Sequence, residues 1–205
     1  DGKFHPLVHG LQDATRIING TKWVHVKPAA KGHSPLTLVP SYPDLPMEQV
    51  WARIPRTDIP GVFTQQVGKG RVVYFPFDID RTFWEVLSPD HGTVIRNAVA
   101  WAHNEEQPLV VEGKGVLDVS LWMQRDSMAA HLVNLTNPMM MKGPVREIIP
   151  SPPQKVRVRV PAGKKVRKVS LLVSGAPSGH KQTGDVISLE IASIGVHEVV
   201  AVDFA

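Results

Sequence analysis

The sequence predicts an α+β protein, with a mixed helix-and-strand region over residues 1–107 and an antiparallel β-sandwich over residues 108–205. Three observations lead there. The second region is a succession of short β-rich runs broken by Gly, Pro, Ser and Asp clusters. The first carries one long amphipathic helix pattern beside extended segments. The chain also holds 18 prolines in 205 residues, which favours strands and loops over a helical bundle because proline breaks helix interiors.

From the N-terminus, WVHVKP (23–28) and PLTLVPSYP (35–43) read as extended. GVFTQQVGKGRVVYFPFD (61–78) reads as a hairpin, its β-rich runs flanking a three-residue loop, Gly68-Lys69-Gly70, with glycine where positive φ is needed. A short helical turn follows, capped by Asp80 or Thr82 and running through Trp84 to Leu87. Asp90 then caps a longer helix, HGTVIRNAVAWAHNEE. Its Val94, Ile95, Ala98, Val99 and Ala102 form an apolar stripe, with Trp101 at the edge. NEEQP (104–108) reads as a linker. Beyond it LVVEG, VLDVSLWMQ, AAHLVNLT, KVRVRV, VRKVSLLVSG, DVISLEI and VHEVVAVDF read as strands. The longest break, residues 137–154, exceeds any hairpin turn; such loops are functional or cross between sheets.

Composition narrows the chemistry. Hydrophobic residues make up 42% and charged residues 20%, enough to bury a core. The absence of cysteine excludes disulfides, thiolate metal sites and a cysteine nucleophile. No apolar run approaches the ~20 residues that span a bilayer. The opening DGKFHPL reads as the interior of a longer protein. The net charge is +4, and the excess falls in the second region, mostly within KVRVRVPAGKKVRK (155–168). There the bases alternate with valines, the signature of a strand with one wet face, and no aromatic residues interleave to stack bases. Nucleic acid and membrane are therefore not expected partners.

YFPFDIDRTFW (74–84) is the stretch richest in chemistry. In an extended segment Asp78 and Asp80 share one face roughly 7 Å apart at Cα. Carboxyl groups about 5–5.5 Å apart suit a retaining glycosidase, and wider gaps an inverting one. The competing reading ends a strand at Asp78, caps a helix with Asp80 and neutralises both with Arg81. A third places Arg81 and Trp84 at the edge of a sugar cleft. His91, beside Asp90, is a candidate base, against the ordinary role of a polar first-turn residue. Trp122 in VSLWMQ alternates with Val119 and Leu121 and reads as an outward ring able to stack on a sugar or cover a neighbouring domain. His5, His9, His25 and His33 fit no zinc spacing, so no metal is expected. No phosphate-binding glycine motif and no nucleophile elbow is present, so no cofactor is expected. Met139, Met140 and Met141 read as an adaptable apolar surface. Asn19-Gly20-Thr21 and Asn134-Leu135-Thr136 match the glycosylation sequon.

GKGRVVYFPFDIDRTFW, DHGTVIRNAVAWA, HLVNLTNPMMMKGPVREIIP and HEVVAVDF resemble the C-terminal part of large bacterial proteins named hypothetical glycosyl hydrolases. Those proteins resemble family 42 β-galactosidases in layout: a TIM barrel, a trimerisation domain, then a small β-sandwich. The resemblance implies that residues 1–107 form a partial flavodoxin-like α/β domain, similar to the glutamine amidotransferase-like trimerisation domain. It implies that the catalytic carboxylates sit on a barrel this sequence lacks. The expected role is then non-catalytic: assembly of the parent enzyme, with the missing barrel domain or further copies of the chain as partners, in a bacterial cytoplasm. A stand-alone glycosidase using Asp78, Asp80 and His91, or a carbohydrate-binding module using Trp84 or Trp122, are the alternatives.

Overall fold

The computed structural model describes residues 4–20, 22–28, 34–137 and 145–205. His33 and the methionines at 139–141 lie outside the described residues. The chain divides into two compact units, Asp1–Glu105 and Glu106–Ala205, the break falling inside NEEQP.

The first unit has one sheet among the described residues, the antiparallel hairpin of β1 (Phe63–Val67) and β2 (Gly70–Tyr74). Val67 pairs with Gly70, so the loop is the two residues Gly68-Lys69 rather than three. Gly68 alone takes positive φ, +59°, as a glycine-first hairpin turn requires. Two helices follow, α1 (Ile79–Val86) and α2 (Pro89–His103). Their starts differ from the sequence reading. Asp78, not Asp80 or Thr82, occupies the cap position of α1, and Ser88 precedes Pro89 at the start of α2, so Asp90 lies in the first turn. Proline at the first helical position fixes that start, because its missing N–H has no helical partner to lose. WVHVKP and PLTLVPSYP contribute single bridges, Trp23 to Phe77 and Thr37 to Pro60, rather than strands. Prolines at 28, 35, 40 and 43 remove the donors a ladder needs. No strand pair in the described residues is parallel, the arrangement a flavodoxin-like domain is built on.

The core of this unit gathers Leu7, Val62 and Ala98, with Leu36, Val73, Phe75 and Trp101 packed around them. The buried stripe of α2 is His91, Val94 and Ala98, while Val99 points to solvent. Trp101 is thus part of the packed face. Arg71 lies 5.1 Å over its ring and donates from Nη1 to its carbonyl at 3.3 Å.

The second unit is two four-stranded antiparallel sheets. One has the order β4-β5-β10-β7 and the other β3-β6-β9-β8. The strands are β3 (Leu109–Gly113), β4 (Leu117–Met123), β5 (Ser127–Asn134), β6 (Gln154–Arg159), β7 (Val166–Leu171), β8 (Lys181–Thr183), β9 (Val186–Ile191) and β10 (His197–Phe204). All seven β-rich runs form strands; β8, a three-residue polar edge, was not predicted. Alternate residues enter one core: Met128, Ala130 and Leu132 from β5, Val156 and Val158 from β6, Ile187 and Leu189 from β9, Val200 and Val202 from β10. Burying a Val or Leu side chain contributes about 1.5–3 kcal/mol, so this alternation dominates the unit's stability. The bases of β6 face water and meet acids of neighbouring segments, Arg157 with Glu112 at 3.0 Å and Arg159 with Asp185 at 2.6 Å.

Three polar side chains, the half-buried Asn134 and the buried Gln154 and Glu198, tie loops to this core. Asn134 Nδ2 donates to the carbonyls of Ile149, Ile194 and Gly195, and its Oδ1 accepts from the Thr136 amide. The sequon asparagine is therefore fully used in packing. Gln154 Nε2 donates to Lys114 and Pro152, and an added Cβ at Gly113 would overlap its amide. Glu198, 2% exposed, accepts from the amides of Val173, Ser174 and Val199 at 3.0, 3.1 and 2.8 Å. Burial pushes its pKa up, but the hydrogen bonds from Ser174, Val173 and Val199 outweigh that and hold it below the usual carboxylate range. A depressed folded-state pKa stabilises the fold above the unfolded-state pKa, and that contribution is lost as pH falls through the folded value. Glu198→Gln is expected to cost about 2–3 kcal/mol near neutral pH, because the amide cannot accept three donors as an anion does. Denaturant unfolding across pH checks this: the gap between wild type and variant should close in acid.

Candidate functional site

The segment 74–84 leaves β2 at Tyr74 and is pinned before α1 begins. Phe77 stacks on Trp23 with ring centroids 5.5 Å apart and planes 2° from parallel. The Val24 amide donates to Pro76 O at 2.7 Å. Ile79 is buried and starts the helix. Asp78 caps the helix and Asp80 lies within its first turn, so the extended geometry in which the two would share a face does not apply.

The two acids have separate surroundings. Asp78 makes no side-chain cap bond to its own helix. Its Oδ1 accepts from the Lys22 amide at 3.3 Å, and its Oδ2 lies 3.6 Å from Arg81 Nη1. Gly20 is pressed against the same carboxylate, where a Cβ would overlap Asp78 Oδ1 and crowd Thr82 Oγ1. Asp80 is exposed in the first turn of α1, where a negative charge complements the helix dipole. Arg81 Nε bonds Glu85 Oε1 at 2.8 Å, and that bond and charge raise the guanidinium pKa further. Trp84 is 57% exposed, one turn beyond Asp80. The outward side of α1 is thus Asp80, Arg81, Trp84 and Glu85.

His91 is 1% exposed, and its Nε2 lies 2.7 Å from Ile18 O. The carbonyl can only accept, so Nε2 carries the proton. Nδ1 is buried with no hydrogen-bond partner among the described residues. A ring so enclosed meets no substrate; it anchors residue 18. Asp78 and His91, singled out by sequence for acid–base work, hold the two ends of one segment, Ile18–Lys22, against the helices.

Trp122 belongs to the second unit and is 64% exposed on β4. Its indole donates from Nε1 to Ser120 Oγ at 3.3 Å, so the ring leans along its own strand. An open cleft of about 460 Å³ lies between the edges of β3 and β4, lined by Pro108, Leu109, Val111, Val119 and Leu121 among others. It carries no titratable side chain. No group of three or more His, Asp or Glu able to hold a metal occurs among the described residues. None of their helices is long and apolar enough to cross a membrane.

No family model and no curated protein matches this sequence. Among solved structures its neighbours are glycoside hydrolases. The chain overlays alpha-L-fucosidase isoenzyme 2 from Paenibacillus thiaminolyticus with a TM-score of 0.60 at 15% identity, covering 77% of this chain and 24% of that one. It also aligns with Gan42B, a GH42 beta-galactosidase of G. stearothermophilus, at a TM-score of 0.33 and 19% identity, covering 71% of this chain and 16% of that one. The first overlay is a likeness of fold; the second is too loose for comparison. The chain spans about a quarter of the fucosidase it overlays.

Sequence reasoning missed the role of Gly20, whose signal was weak: a glycine inside a sequon, with its partner 58 residues away. Gly20→Ala is expected to destabilise the first unit by about 1–3 kcal/mol through overlap with Asp78. In an Asp78→Ala background the added methyl should cost much less. A thermal-denaturation double-mutant cycle checks this; simple additivity would remove the contact.

Proposed function

We propose that this chain is a non-catalytic accessory region of a larger glycoside-hydrolase-like protein, which it helps to assemble or shape. The observation that carries the reading is the different surroundings of Asp78 and Asp80 at the start of α1, the first tied to Lys22 and Arg81 and the second exposed. Glycosidic cleavage needs two carboxyl groups flanking one bond. Here one acid clamps Lys22 and Arg81 while the other faces water. The overlay on a quarter of a fucosidase supports the same reading, since it leaves most of that enzyme without a counterpart here. On this reading the first unit, an antiparallel hairpin followed by two helices, is a partial α/β, flavodoxin-like domain whose parallel strand pairs are not among the described residues. Its partners are a catalytic barrel domain or further copies of the chain. The exposed Asp80, Arg81 and Trp84 then form an edge that meets the barrel or its sugar.

The purified chain is expected to show no turnover of chromogenic glycosides, β-galactosides and α-L-fucosides included. Turnover that survives purification and disappears in Asp80→Asn, with the fold intact by circular dichroism, would overturn the accessory reading in favour of a stand-alone glycosidase.

A further inference from the structure

The outer face of the β4-β5-β10-β7 sheet has an arrangement the accessory role does not use. One residue from each strand lies in register across it: Trp122 opposite Ala129, Ala129 opposite Ala201, and Ala201 opposite Ser170. An exposed indole therefore stands at the end of a row of three small side chains. At normal strand spacing the row is roughly 14 Å wide, a shelf long enough for a short oligosaccharide.

The next row is polar at its start. Ser120 lies opposite His131, and His131 opposite Val199. His131 and His197 stack with centroids 5.4 Å apart and planes 11° from parallel. His131 Nδ1 lies 3.2 Å from His197 Nε2, so one ring donates a proton to the other. That bond fixes both rings and turns their second nitrogens, His131 Nε2 and His197 Nδ1, away from it. Asp118, two residues before Ser120 on β4, is exposed on the same face, opposite Val133.

The geometry points to this face as a carbohydrate-binding shelf: Trp122 stacks on the C–H face of a sugar ring, and Ser120, His131 and His197 bond its hydroxyls. The chemistry selects the ligand class. A pyranose offers an apolar face and a rim of donors and acceptors, which an indole beside imidazole and hydroxyl groups complements. A protein partner is served better by contiguous apolar side chains, and past the indole this row offers only alanine and serine. The Ser120 bond holds the ring in place, so little side-chain freedom is lost on binding.

The inference extends the accessory reading and is separable from it. The test is calorimetric titration of the full chain with galactotetraose, cellotetraose and L-fucose, with amide chemical-shift mapping. Saturable binding of at least one probe is expected, with shifts confined to β4, β5, β10 and β7. Trp122→Ala should weaken it about tenfold or more, the scale of losing one stacked ring. Ala129→Arg should abolish it by filling the shelf with Trp122 still in place, and Trp51→Ala, which removes an exposed indole of the first unit, should leave it unchanged. Absence of binding to all three probes, or wild-type affinity in both shelf variants, would overturn the proposal. So would self-association that both variants abolish, which would make the face a protein interface. Glycoside turnover by the chain would sink the accessory role and leave the shelf standing.

Discussion

A strand whose side chains repeat every two residues can bury one face and must wet the other, and the second unit rests on that constraint. β5, β6, β9 and β10 each send every second residue into one core. The places where the period fails are informative. Glu198, Val199 and Val200 are buried in succession on β10. Glu198 falls at an inward position and is tolerated because three amides receive it, so the one charged residue among the inward positions of β10 also fixes the chain after β7. Gln154 does the same at the start of β6, where Gly113 gives it room. The sandwich is thus an apolar alternation closed at its ends by polar side chains that bond to loop backbone.

The first unit works under a different constraint. Most of the described residues before β1 are irregular, so their backbone groups find few ladder partners. Side chains supply them. Asn97 Nδ2 donates to the carbonyls of Leu7 and His9, Ser34 Oγ bonds at Leu36 and Val62, and Thr57 Oγ1 donates to Leu38 O. Asp78 and His91 belong to this set, serving Lys22 and Ile18. A histidine and an aspartate in an apolar setting resemble a catalytic pair on paper. In the fold they act as splints for a long loop.

This explains what was legible in advance. Seven of the eight strands of the sandwich were readable because their period is local. The bases of 155–159 were correctly placed on the wet face for the same reason. The helix starts were misread by two residues, because Asp80 and Asp90 looked like caps while Asp78 and the Ser88-Pro89 pair occupied those positions. WVHVKP and PLTLVPSYP had strand composition but no continuous partner, and pairing is not a property of one segment. The geometry of 74–84 was the hardest part. Whether Asp78 and Asp80 converge depends on where the helix begins, and that is set by Ile79 entering the core and by contacts from residues 20–24. Trp122 was legible as an outward ring, whereas the shelf beside it depends on three strands distant in sequence.

A shallow shelf on a flat sheet excludes little water and cannot grip a sugar as a deep pocket does. On an accessory region it does not have to. Where a weak site is joined to a catalytic body, the second encounter becomes intramolecular, with an effective concentration that reaches the millimolar range for short connections. Weak binding then becomes sufficient. A single fixed indole, small neighbours and a few imidazole and hydroxyl groups suit that regime. Asp78 and His91 of the first unit do not, since each is already committed to the backbone it holds. The division between splinting side chains and exposed ones is therefore a better guide to function in this chain than the identity of the residues themselves.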